Sequence, residues 1–241
     1  MNYFAAGYDN GMCVFKLERE TYSSARSGSL IFFVKNKNLY FHDLSSKEKT
    51  IMAPVNTNGK QVMMNQPNHV YYNHFNQSSH DIILSFDNLE GGSFIIYEFH
   101  RDFKQNGGSP KLISEKRADG VLGAVFLSKD KICVLDQNKE LAVCNFDGSN
   151  LKKFQITQAP NSKKAIGKVD MIFPAPLGKI LAYSAEDGGS LILFDISARK
   201  TLHELSVTDV RAVYWNNNQT YAAVVAKSQI FLVTKNLEVV N

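Results

Sequence analysis

The hydrophobic and polar positions of this chain repeat as one short unit. From Ser190 to Val207 the sequence SLILFDISARKTLHELSV alternates in character, breaks at a polar stretch from Asp195 to Lys200, and alternates again. Period-two alternation on both sides of a polar turn predicts a pair of antiparallel strands. Such a ribbon is marginal in water alone and needs sheets of its own kind beside it. The chain supplies them. Related stretches are GMCVFKLERE (Gly11 to Glu20), NLYFHDLSSKEKTIM (Asn38 to Met52), SFIIYEFHRD (Ser93 to Asp102), ELAVCNFDGSNLKKFQI (Glu140 to Ile156) and QIFLVTKNLEVV (Gln229 to Val240).

The polar residue that ends the leading strand of each later ribbon marks the period. Asp43, Glu98, Asn145, Asp195 and Thr234 lie 55, 47, 50 and 39 residues apart. A repeat of roughly 40–50 residues with only strand-like segments between is the signature of β-propeller blades, four-stranded sheets that bury their faces on one another. The expected fold is all-β: a WD40-type propeller fragment of about five four-stranded blades plus an N-terminal hairpin. The blades are expected to start near Tyr22, His69, Leu122, Val169 and Val210. The hairpin (Tyr3 to Ala6, Met12 to Leu17) turns at Asn10-Gly11, a pair suited to positive backbone angles. Lys16 precedes Asp43 by only 27 residues, too few for a blade. The expected division is therefore residues 1–20 as the terminal hairpin of a preceding propeller and 21–241 as a partial second one. Gln155 to Lys168, which contains Pro160, is expected to be a loop. No stretch has helical periodicity of useful length.

Composition narrows the function classes. At 241 residues and 44% hydrophobic content the chain can bury a sizeable core. The net charge of +4 is weaker than nucleic-acid binding usually requires. Cys13, Cys133 and Cys144 are odd in number and scattered in strands, which suits buried thiols rather than a disulfide frame. Asn76-Gln77-Ser78 and Asn218-Gln219-Thr220 match the glycosylation pattern but read as polar turns, with no signal peptide ahead of them. No apolar run approaches the ~20 residues of a membrane helix.

The stretch FAAGYDNGMCVFKLERE, Phe4 to Glu20, closely resembles the segment that joins the two N-terminal propellers in the coatomer alpha subunit family. It departs at Tyr8, where the family commonly has His, and lacks an Arg-Pro pair after Glu20. The likeness continues more weakly along LGAVFLSKDKICVLDQNKELAVCNF, SLILFDISARKTL and VRAVYWNNNQTYAAVVAKSQIFLVTKNLE. The resemblance implies a large, non-enzymatic scaffold subunit of the COPI vesicle coat, with two seven-bladed propellers followed by a helical solenoid. It implies action in Golgi-to-ER and intra-Golgi transport, and a cytoplasmic location, peripheral on Golgi membranes and coated vesicles. The implied partners are the other coatomer subunits, beta-prime and epsilon among them. The membrane is reached only through the assembled coat, with no nucleic acid and no cofactor. The family's pocket for dilysine cargo tails lies on the first propeller, so no cargo-binding residue carries over. A propeller of another coat or tethering complex, a propeller-type hydrolase and a nucleic-acid-binding propeller are the alternatives.

Candidate chemistry is sparse. His69, His74 and His80 are close in sequence, but residues five apart on a strand face opposite ways and no Cys or carboxylate set completes a metal site. No catalytic, cofactor-binding or metal-binding residue is expected. Lys152, Lys153, Lys163, Lys164 and Lys168 form the single basic cluster, read as a solvated loop face. The aromatics sit in strands and read as packing between blades. No Trp-Asp pair closes any blade, so apolar packing and turn residues must hold the repeat. Five blades leave the outward faces of the first and last unpaired, which invites dimerisation or exchange.

Overall fold

Alternation in the sequence becomes the pleat of the sheets in the Asn38–Asp43 and Tyr221–Ala226 strands, whereas the Ser190–Asp195 strand, expected to alternate, is buried on both faces because a blade packs on each side of it. The computed structural model describes residues 2–8, 11–17, 23–55, 66–86, 92–101, 110–156 and 168–240, the first two spans as backbone alone. Among the described residues, strands β1 (Asn2–Tyr8) and β2 (Gly11–Leu17) pair only with each other, from Asn2 opposite Leu17 to Tyr8 opposite Gly11. The hairpin is longer than expected, Gly11 is paired, and Asn10 lies outside the described residues.

Blade one is β3 (Ser24–Ser27), β4 (Leu30–Lys35), β5 (Asn38–Asp43) and β6 (Lys49–Pro54). Blade two is β7 (His69–Tyr72), β8 (Ser79–Phe86), β9 (Ser93–His100) and β10 (Leu112–Asp119). Blade three is β11 (Val121–Phe126), β12 (Lys131–Asp136), β13 (Leu141–Asn145) and β14 (Lys152–Phe154). Blade four is β15 (Met171–Pro174), β16 (Lys179–Ser184), β17 (Ser190–Asp195) and β18 (Lys200–Ser206). Blade five is β19 (Val210–Trp215), β20 (Tyr221–Ala226) and β21 (Ile230–Thr234). Each sheet is an antiparallel meander in chain order. A fourth strand was expected over Leu237 to Val240; this segment instead lies along β21 through one bridge, Val233 to Val239, and the bond from the Val240 amide to the Leu232 carbonyl (2.8 Å). The expected loop at 157–167 lies outside the described residues. A 3₁₀ turn spans Glu186–Gly188.

The spacing markers have a physical role. Asp43, Asn145, Asp195 and Thr234 each open the turn that leaves a blade's third strand, whereas Glu98, expected to end its strand too, lies inside β9, paired with Asp81 and Ser114. The Asp195 carboxylate accepts from the Ser197 hydroxyl at 2.7 Å and the Ala198 amide at 2.9 Å. These bonds hold its pKa below the ordinary carboxylate value, the Ala198 amide contributing most. Asp43 does the same for Ser45, and the Thr234 hydroxyl accepts from the Asn236 amide. Short polar side chains that bond the backbone two residues on favour turns over continued strand.

Successive blades share apolar clusters. Phe32, Val34, Leu39 and Phe41 of blade one pack on Ile82, Leu84, Ile95 and Tyr97 of blade two. Ile83 and Ile96, on the other face of blade two, meet Phe126, Ile132 and Val134 of blade three. Val125, Cys133 and Leu135 meet Ile172, Ile180, Ile192 and Phe194 of blade four. Phe173, Leu181, Leu191 and Leu193 meet Val213, Val224 and Val233 of blade five. Fully burying one such side chain stabilises by about 1.5–3 kcal/mol, against about 1 kcal/mol for a hydrogen bond, so the clusters dominate.

Polar stitches then fix the register between blades. The Val70 amide donates to the Ser23 hydroxyl (3.0 Å), and the Tyr97 hydroxyl to the Pro54 carbonyl (3.2 Å). The Gly178 amide donates to the Leu127 carbonyl (3.1 Å), and the Trp215 indole to the Pro174 carbonyl (2.8 Å).

Gly189 shows how closely the chain crosses between blades. Its φ is +95°, and an added Cβ would lie 2.5 Å from the Val207 carbonyl oxygen. Gly188, at φ +89°, has open space. Gly189→Ala is expected to cost about 2–4 kcal/mol, while Gly188→Ala meets only the backbone cost of about 1–2 kcal/mol. Urea unfolding of the two variants measures the difference.

Candidate functional site

The inner strands β3, β7, β11, β15 and β19 run next to one another, so the ends that leave them converge. They enclose a cavity of ≈ 430 Å³ lined by Arg26, Ile31, Tyr71, His74, Phe126, Tyr214, Trp215 and Asn216, among others. Its walls are mainly aromatic and amide. Arg26, the lining residue with a fixed charge, gives its Nε proton to the Gly28 carbonyl at 2.9 Å. The Tyr71 hydroxyl is buried without a hydrogen-bond partner, and burial holds its pKa well above the ordinary phenol value. An unpaired buried hydroxyl is a cost to stability.

The three histidines do not converge on one point. His69 stacks on Tyr71 (5.7 Å between centroids) and meets the ring of Phe173 edge-on (6.1 Å). His74 lies past the end of β7, so the strand-alternation argument does not reach it. It sits edge-on to Tyr72 at 5.1 Å, and burial lowers its pKa. The His80 Nδ1 lies 2.9 Å from the Tyr72 hydroxyl, which also accepts from Arg101 at 3.2 Å. Among the described residues no group of three or more His, Cys, Asp or Glu could hold a metal.

Cys133 and Cys144 are buried free thiols in β12 and β13, and burial pushes both pKa values up. Both lie in inter-blade clusters, Cys133 toward blade four and Cys144 toward blade two. The side chain of Cys13 is outside the description. The Asn76 side chain is 5% exposed and bonded to Asp81 and Ser79, so that glycosylation pattern is a structural turn. Asn218 accepts from the Thr220 hydroxyl at 2.7 Å in an exposed turn. Lys152 and Lys153 are exposed, but Lys153 pairs with Glu140, and Lys139 pairs with Asp170 at 3.3 Å. Carboxylates therefore interrupt this basic face; Lys163 and Lys164 lie outside the described residues.

The polar feature that sequence reasoning missed is centred on Asp81. It is fully buried at the start of β8. Its carboxylate accepts from the Ser79 hydroxyl (2.5 Å), the Asn76 amide (2.7 Å) and the Asn73 amide (3.1 Å). The same Asn73 amide reaches the carbonyls of Ser128 (3.3 Å) and Lys129 (3.2 Å) in the β11–β12 turn of blade three. Burial raises the Asp81 pKa, while the three hydrogen bonds pull it back down. The network does mechanical work: it locks blade two onto blade three without a cation. The partners are as many as 56 residues apart, so spacing within one repeat gives no signal of it. Asp81→Ala strands three buried donors and is expected to destabilise by about 3 kcal/mol or more; Asn73→Ala loses the stitch and costs about 1–2 kcal/mol. Denaturant midpoints of both variants check the order.

Comparison with known proteins follows this geometry. Residues 36–241 match the family model described as COPA/B second beta-propeller. The chain is 30% identical over 245 residues to coatomer subunit alpha of Dictyostelium discoideum, covering 98% of this chain and 17% of that protein. It is 29% identical over 238 residues to coatomer subunit alpha-2 of Arabidopsis thaliana, covering 98% of this chain and 18% of that one. The chain thus spans less than a fifth of the length of these relatives. Among solved structures it is similar to the Cps50 (Swd1) β-propeller domain of Myceliophteria thermophila, with TM-score 0.56 and 11% identity, covering 90% of this chain and 66% of that one. At that identity the likeness concerns the fold.

Proposed function

The chain belongs to the COPA/B second β-propeller family, and from that membership we propose that it serves as a non-enzymatic scaffold sector of the COPI vesicle coat. Residues 1–20 close a preceding propeller and residues 21–241 form most of the second. The sector spaces neighbouring parts of a longer subunit and offers loops to other coatomer subunits, beta-prime and epsilon among them. It acts in Golgi-to-ER and intra-Golgi transport from the cytoplasmic side, meeting the Golgi membrane through the assembled coat. The observation that carries this reading is the family match across 36–241, reinforced by relatives that align over nearly the whole chain. The physical chemistry is compatible with it. A stiff frame that presents many turns suits assembly with several partners at once.

A chimera tests the role. The segment of the Dictyostelium discoideum alpha subunit that aligns with this chain is replaced by it, and assembly and retrieval of a dilysine-tagged reporter are followed. The chimera is expected to co-purify with the other coatomer subunits and to sustain retrieval. A folded chimera that is excluded from the complex would overturn the reading.

A further inference from the structure

The rim where blades two, three and four meet carries cations that no carboxylate pairs. Contacts run along it from blade to blade. The Arg101 guanidinium, beside the end of β9, donates to the Gln77 side-chain oxygen at 3.0 Å and to the Tyr72 hydroxyl at 3.2 Å. Ser78, the next residue of that turn, accepts from the Lys129 ammonium of blade three at 3.3 Å. The Leu127 carbonyl accepts from the Gly178 amide of blade four, and Gly178 follows Leu177, which is 63% exposed. Lys129 and Lys131 are exposed as well. By strand alternation Lys131 lies on the same side of β12 as Cys133 and Leu135, toward blade four. A basic strip with an apolar residue at one end therefore crosses two junctions whose blades both belong to this chain.

Charge and spacing choose the ligand. Among the described residues Arg101, Lys129 and Lys131 form no ion pair, and the carboxylate between the two lysines, Asp130, accepts from the Ser128 hydroxyl at 3.0 Å. The Arg101 Nε is buried with no hydrogen-bond partner. A guanidinium held this way lacks the compensation that an anion provides. A charge-assisted bond to a carboxylate is roughly twice as strong as one to a neutral hydroxyl or amide, so both Arg101 and Lys129 gain by meeting one. Phosphate chains and anionic lipid surfaces call for a continuous positive stripe. Asp130 and Leu177 interrupt this one. A peptide strand advances ~3.3 Å per residue and turns alternate side chains to opposite sides, so it brings acids to the cations and an apolar side chain to Leu177.

We propose that this rim binds a short acidic segment of a partner protein, whose carboxylates reach Arg101 and Lys129 and whose apolar side chain rests on Leu177. The turns that form the site are already locked to one another by the Asp81 network and the Gly178 amide, so little ordering is needed on binding. The contact is small and largely exposed, so it is weak and sensitive to salt. This goes beyond the scaffold role and does not depend on it.

Fluorescence anisotropy on the full chain is the test, with a labelled peptide of glutamates flanking a single leucine as the probe. Saturable binding is expected with a Kd of about 10–100 μM, weakening at least about fivefold between about 50 mM and about 300 mM salt. Lys129→Glu is expected to weaken binding at least about fivefold while leaving the unfolding midpoint unchanged. Leu177→Ser is expected to weaken it about fivefold at both salt levels, and to make no difference to a probe with glycine in place of leucine. Lys227→Glu makes the same change of charge in the exposed β20–β21 turn, at the other end of the sheets, and is expected to leave binding unchanged. Absence of saturable binding overturns the proposal. Equal loss with Lys227→Glu overturns it too, by showing attraction to net charge alone. Tighter binding of phosphatidylserine vesicles or of a single-stranded oligonucleotide, lost with Lys129→Glu, also overturns it, by assigning the cations to phosphate.

Discussion

A four-stranded sheet that is apolar on both faces has to be covered on both, and nearly everything in this chain follows from that demand. Blades two, three and four each bury one face against the blade before and the other against the blade after. Their second and third strands are accordingly buried on both faces: all eight residues of β8 are buried, with Ile82, Ile83, Leu84 and Phe86 as its apolar part. The end blades alternate instead, because one face of each stands free of a blade partner within the chain. Each sheet thus depends on its neighbours, and the stability of a blade cannot be separated from that of the array.

Apolar packing sets how much the blades attract, but not how they are registered. Registration comes from a few polar groups at the rims, and each junction uses a different set. Blades two and three share the Asn73–Asp81 network, blades three and four the Gly178 amide and the Lys139–Asp170 pair, blades four and five the Trp215 indole. The variety explains how the repeat survives without a Trp-Asp pair in any blade. One buried carboxylate with three donors performs in blade two what other residues perform elsewhere.

Much of the fold was legible from alternation and turn chemistry. Asp43, Asn145, Asp195 and Thr234 announced the blades because each opens a turn, a local event that a local sequence records. Strand ends were less legible. β10 runs on to Asp119 because from Ser114 onward it pairs residue by residue with β9 back to Ser93. The last segment pairs by a single bridge, although it is as apolar as the other outer strands. Long-range polar contacts were not legible at all: Asp81 reads as the polar start of a strand, and only the fold brings blade three to the amide that binds it. The histidines, close in sequence, divide in space: His69 packs on Tyr71, while His74 and His80 both meet Tyr72.

The central claim is that the blades form one array held by face-to-face burial. Native-state hydrogen exchange measures this most directly, because it reads the opening free energy of each strand separately. The account predicts that the second and third strands of blades two, three and four exchange only through global unfolding, with a common free energy, while β21 in blade five opens at lower cost. Independent exchange of each blade, with blade five as protected as blade three, would contradict it.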